Sequence, residues 1–214
     1  MAPKLRRARA AAALIVLALA AGCTTVSSLN SAARGLDTYA LSPLPPQPDA
    51  RGGSRIVFVA EPNATGAVGG DRIVMRPTPI EVTLLGDGRW VEAAPLHVRN
   101  ILARSLANTG RFAFVTTAAI GPLPDMTLLT DIEAFEARLL PGGGAPARVT
   151  VSLTLTLVRD VDSRLVASRR FTRTADAADT DARAIVTAFE AANAALLREA
   201  VPWITATATG RPAT

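Results

Sequence analysis

Apolar and polar residues alternate most regularly from Val149 to Leu157. There Val149, Val151, Leu153, Leu155 and Leu157 are interleaved with Thr150, Ser152, Thr154 and Thr156. A period of two predicts a strand with one apolar face and one hydroxyl-rich, solvated face. Thr127 to Leu139 reads as a long strand before it, and Leu165 to Thr172 returns after a tight turn at Asp160 to Arg164, giving a three-stranded antiparallel meander. Asp131 and Glu133 fall on one face of the first of these strands with Leu129 and Phe135, by the same period. Arg55 to Glu61 and Arg111 to Thr116 are β-branched or aromatic and read as further strands. Asp71 to Arg76 is short and extended. Ile80 to Leu85 and Arg89 to Val91 flank Gly86-Asp87-Gly88, and an Asp-Gly step between apolar runs signals a hairpin.

The spacing changes to the helical one from Pro95 to Thr109, where Val98, Ile101, Leu102, Ser105 and Leu106 form a single stripe. Gly110 supplies a left-handed stop. A second helix is predicted from about Asp181 to Val201, with Ile185, Phe189, Ala192 and Leu196 on one face. Asp179, Thr180 and Asp181 are available to cap it, and Pro202 is expected to end it. The fold class is therefore α/β (α+β): a mixed, largely antiparallel sheet packed against two main amphipathic helices.

The N-terminal pattern is of another kind. Lys4, Arg6, Arg7 and Arg9 precede an apolar run from Ala10 to Ala21 and then Gly22-Cys23. This run is shorter than the roughly 20 residues of a membrane span, and its basic head and small-residue exit mark a secretory signal. Ala20-Ala21-Gly22-Cys23 resembles the lipobox of bacterial lipoproteins, with Ala20 where the box normally carries Leu. That resemblance implies cleavage before Cys23, a diacylglycerol on its sulfur and an acyl chain on its new amine. The organisation is then 1–22 signal peptide, 23–54 lipidated cysteine, tether and proline-rich connector, 55–204 one domain, and 205–214 a disordered tail.

Cleavage would also change the charge. The formal net charge of the 214-residue chain is +5, but the four basic residues of the signal leave with it, and the remainder is near +1. No basic patch for nucleic acid survives processing, and Arg169-Arg170 with Arg173 reads as a solvated strand face. Cys23 is the one cysteine, so no internal disulfide can form, and no catalytic or metal-ligating set stands out. His97, the one histidine, is expected at a boundary or in solvent. Gly142-Gly143-Gly144 joins two strands and has no lysine near it, as a phosphate loop would require. Trp90 with Arg72 and Arg76 is the candidate partner interface, since an aromatic beside arginines suits a binding anchor. The alternative is that Trp90 packs in the domain's own core.

The order of pieces resembles a known family. Tyr39-Ala40-Leu41-Ser42-Pro43, Asp71-Arg72-Ile73-Val74-Met75-Arg76, Arg89-Trp90-Val91-Glu92, the helix ending in Thr109-Gly110-Arg111-Phe112, Arg164 to Phe171, and a closing helix with Phe189 and Trp203 are similar to the ABC-type transport auxiliary lipoproteins. The resemblance implies a non-enzymatic, lipid-anchored component of a transporter that also has an ATPase, a permease and an MCE-domain (mammalian cell entry) substrate-binding protein. Such systems move lipids or other hydrophobic compounds across the envelope. It implies no cofactor beyond the acyl chains on Cys23, and a homo-oligomeric ring in some members. Thr24 after Cys23, in place of the Asp that retains lipoproteins in the inner membrane, implies the periplasmic face of the outer membrane. The rival reading is a lipoprotein activator of a cell-wall enzyme. Residues 23–36 would reach only about 45 Å for that task.

Overall fold

The computed structural model describes residues 35–47, 52–142 and 146–210. The signal, Cys23 and most of the tether lie outside them. Eight strands form one mixed sheet: β1 (Asp37–Tyr39), β2 (Ile56–Val59), β3 (Arg72–Arg76), β4 (Thr83–Trp90), β5 (Phe114–Thr116), β6 (Met126–Leu139), β7 (Ala147–Arg159) and β8 (Arg164–Ala177). Helix α1 is Ala94–Asn108, and helix α2 is Ala182–Thr209.

Strand β6 organises the sheet. One of its edges pairs antiparallel with β7 along its whole length, and β7 pairs antiparallel with β8. Its other edge carries two short strands end to end, β2 opposite Met126–Leu128 and β3 opposite Glu136–Arg138, both parallel. Strand β5 adds to β2, β4 to β3, and β1 to β4. The meander is the one the alternation predicts, and the long antiparallel ladders dominate the mixed sheet.

Both helices contribute to one core with the sheet. In α1 the stripe Val98, Ile101, Leu102, Ser105 and Leu106 is buried, Pro95 occupies the first turn, and Gly110 stands at φ 58° after the C-terminus. In α2 Asp181 accepts the Ala184 N–H at 2.8 Å as N-cap. Trp90, Phe135 and Phe189 meet at the centre, with ring centroids 5.0–5.4 Å apart.

Five expectations change. Gly86-Asp87-Gly88 is not a hairpin: β4 runs through it as one strand, with its register against β3 shifted there. Gly88 lies so close to its neighbours that a Cβ would stand 3.1 Å from both Tyr39 and Ala182, so the glycine serves close packing rather than a turn. Pro202 does not end α2, which continues to Thr209 because Ile204 and Ala208 are buried beyond it. Five residues of the expected tail are thus helical. His97 is buried, not at the surface. The expected connector is part of the folded unit from Asp37 to Gln47, since β1 pairs with β4 and Leu41 is buried. Phe135 points into the core, because a bulge at Glu133 breaks the period of two on β6.

Candidate functional site

Strands β3 and β4 position the predicted set Arg72, Arg76 and Trp90, but do not bring it together at the surface. Along β3 the residues Ile73, Val74 and Met75 are buried, and the arginines flank them at the strand ends. Arg72 donates from Nη2 to the Leu85 carbonyl at 2.7 Å. Arg76 donates from Nε to Glu136 Oε2 at 2.6 Å, and Arg138 lies 3.8 Å from the other oxygen of that carboxylate. Both guanidiniums are therefore engaged within the domain. Trp90 ends β4 with 1% exposure, packed on Phe135, Phe189 and the His97 ring. The exposed-anchor reading of Trp90 is corrected: its indole is core. Cys23 lies outside the described residues.

A polar cluster that the sequence reading did not assemble holds the segment Leu41–Gln47 against the two helices. Prolines at 43, 45 and 46 have no N–H, and each N–H that remains in this stretch has a partner. Leu41 donates to His97 Nε2 at 2.8 Å, Ser42 to Glu190 Oε2 at 2.9 Å, Leu44 to Ser105 Oγ at 3.0 Å and Gln47 to the Asn108 carbonyl at 2.9 Å. Asn108 and Asn193 return bonds to the carbonyls of Leu44 and Ser42. Because Nε2 accepts, the His97 proton sits on Nδ1, facing Glu92 Oε1 at 3.3 Å. Asn100 donates to both oxygens of Glu92 at 3.0 Å. The signal available in the sequence was Ser105 in the apolar stripe of α1 and Asn193 among the alanines and leucines of α2: polar residues on core faces require partners.

Beside this segment is a shallow groove of about 220 Å³, lined by Leu41, Pro43, Val91, Glu92, Asn100 and Arg104 among others. It offers one carboxylate already saturated by Asn100 and one exposed arginine. No group of three or more His, Cys, Asp or Glu side chains that could hold a metal occurs among the described residues.

The sheet face away from the helices is covered by hydroxyls and ion pairs. Ser152 meets Thr172 at 2.7 Å and Thr156 meets Ser168 at 2.8 Å, across the ladder. Arg170 reaches Glu133 at 3.1 Å, and Arg148 reaches Asp176 at 2.6 Å. The hydrogen bond from Arg148 holds the Asp176 carboxyl below the ordinary carboxylate value, and Arg159 does the same for Asp162. On the rim shared by β8 and α2, Arg169 and Arg173 both bind Glu199. Arg169 also lies 4.8 Å over the Phe171 ring, which packs on Trp203.

Comparison with known proteins adds the following. The family model described as the ABC-type transport auxiliary lipoprotein component matches residues 39–201. The crystal structure of protein XCC0632 from Xanthomonas campestris is similar at 29% identity and a TM-score of 0.70, over 80% of this chain and 96% of that one. A crystal structure of an uncharacterized protein shares the fold at 16% identity and a TM-score of 0.62, over 80% of this chain and 99% of the other. No curated protein matches.

Proposed function

The chain belongs to the ABC-type transport auxiliary lipoprotein component family, and from that membership we propose that it is the lipid-anchored, non-enzymatic partner of an MCE-type ABC transporter moving lipids or other hydrophobic compounds across the envelope. The observation that carries this reading is the family match across nearly the whole folded unit, joined to a lipobox-like Cys23 upstream of it. Each buried methylene of an acyl chain contributes about 0.8 kcal/mol, one chain anchors marginally and several anchor firmly. Three chains on Cys23 would hold the domain at the periplasmic face of the outer membrane. Anchoring would also raise its effective concentration for an MCE-domain protein that reaches the same layer. The non-enzymatic part of the proposal is supported by the engagement of the one histidine, whose two ring nitrogens face the Leu41 N–H and Glu92.

Metabolic labelling with palmitate tests the anchor. The wild-type chain is expected to take up label and fractionate with the outer membrane, and Cys23→Ser to lose both. A label-free wild type overturns lipidation. Affinity purification of the native complex from membranes tests the role. Recovery of an MCE-domain protein or an ABC subunit is expected, and their absence counts against transport.

A further inference from the structure

The exposed edge of β8 carries an inference that the family reading does not use. Strand β8 pairs only with β7 among the described residues. Half of the backbone N–H and C=O groups of an antiparallel edge strand point away from its one neighbour and remain open to a further strand. The register against β7 is unbroken from Ala167 to Ala177, with the one irregularity N-terminal to it, where Val166 is the extra residue. The strand contains no proline and no glycine. Of the usual devices that blunt an edge, this stretch retains only charge, and the charge is of one sign. Arg169, Arg170 and Arg173 lie along it, Arg170 paired with Glu133 on β6, while Asp176, its one acid, is taken by Arg148 on β7. Arg169 and Arg173 share the single carboxylate Glu199, which leaves the rim with a cation in excess.

From this edge we propose a docking site for an extended, acidic segment of another protein, added antiparallel or parallel to β8 as a ninth strand. The partner's backbone would supply the affinity, and Asp or Glu at alternate positions would answer Arg169 and Arg173 on the helix face. A second copy of this chain fits poorly. Two-fold pairing of β8 with itself about Phe171 sets arginines opposite arginines, and like charges directly opposed destabilise a ladder. The inference stands apart from lipid anchoring and from the identity of the transporter.

The test uses the full chain in detergent and two fluorescent nine-residue peptides, one alternating Thr with Glu and one alternating Thr with Lys. Anisotropy is expected to give at least tenfold tighter binding of the Glu peptide. Hydrogen exchange is expected to slow in the amides of 167–177 and nowhere else when that peptide is added. The double variant Arg169→Ser/Arg173→Ser, checked for an intact melting transition, is expected to lose at least tenfold in affinity. If that variant does not fold, the two peptides on the wild-type chain still decide. Equal affinities for the two peptides, or protection elsewhere on the fold, overturn the proposal. Amides of β8 already protected in a free chain whose mass is that of a dimer or larger assign the edge to a second copy, and overturn it as well.

Discussion

At the scale of single residues, Trp90 shows how a surface-looking sequence can be a core. It lies between Arg89, which faces outward on β4, and Val91, just past the end of the strand: Val91 is 56% exposed while Trp90 is 1% exposed. Three aromatic neighbours surround it, so truncation would leave a large cavity among side chains that cannot collapse into it. Trp90→Ala is expected to cost about 3–5 kcal/mol of stability, as large aromatic truncations do. Equilibrium denaturation measures it. A loss under about 1 kcal/mol, together with weakened partner binding, would return Trp90 to the surface role. His97 belongs to the same group of residues whose position in a helical stripe says "boundary" while their partner comes from a distant segment. Nothing near residue 97 in sequence announces the Leu41 N–H 56 positions away.

At the scale of elements, periodic segments were legible and interrupted ones were not. Strand β7 and helix α1 carry a single uninterrupted period, and the structure follows it. Strand β4 defeats a local reading because Gly86-Asp87-Gly88 has turn chemistry, and the reason for Gly88 is two distant neighbours, Tyr39 and Ala182, that no local pattern contains. Helix α2 outruns Pro202 because burial of Ile204 and Ala208 and the packing of Trp203 on Phe171 outweigh the roughly 3 kcal/mol that an internal proline costs. Strand β6 is the sharpest case. Met126, Leu128, Thr130 and Ile132 face inward, then Phe135 and Ala137 do, and the parity changes at Glu133, the residue with no opposite number on β7. The bulge therefore keeps both halves of one long strand facing the same core. Substituting the bulged residue and removing it should both leave the core side chains facing inward. Glu133→Thr loses only solvent-exposed bonds to Thr154 and Arg170 and is expected to cost under about 1 kcal/mol. Deleting Glu133 removes the one unpaired residue and leaves Ile132, Ala134, Phe135 and Ala137 on an unbroken period of two, with Phe135 and Ala137 still inward, and is expected to keep cooperative unfolding. Thermal melts of the two variants check this, and loss of the cooperative transition on deleting Glu133 would overturn its assignment as the extra residue.

At the scale of the whole molecule, the question is where the folded unit begins, because that sets how a membrane anchor would connect to it. A proline-rich stretch after a lipobox reads as connector, and composition alone does not show that Leu41–Gln47 is bound. The bonds that bind it go from its backbone to side chains on α1 and α2, so the segment's own sequence carries little record of them. A tether from Cys23 would then end at Asp37, about 45–50 Å away at full stretch, and not at Arg55. Load on that tether would fall first on three parallel residue pairs of β1 with β4 and on the helix side chains behind them. Two truncations separate a bound segment from a passenger. A chain starting at Gly35 keeps β1 and is expected to melt within about 2 °C of the full chain. A chain starting at Pro48 exposes the surface under Leu41, worth about 1.5–3 kcal/mol for a buried leucine, and leaves Ser105, Asn193 and His97 buried without their partners, at about 1–3 kcal/mol each where water cannot reach them. A loss of at least about 3 kcal/mol is expected, a fall in melting temperature of roughly 6–12 °C for a domain of this size. If both truncations melt together, the helices do not need the segment, and the tether would begin at β2 with more than twice the reach.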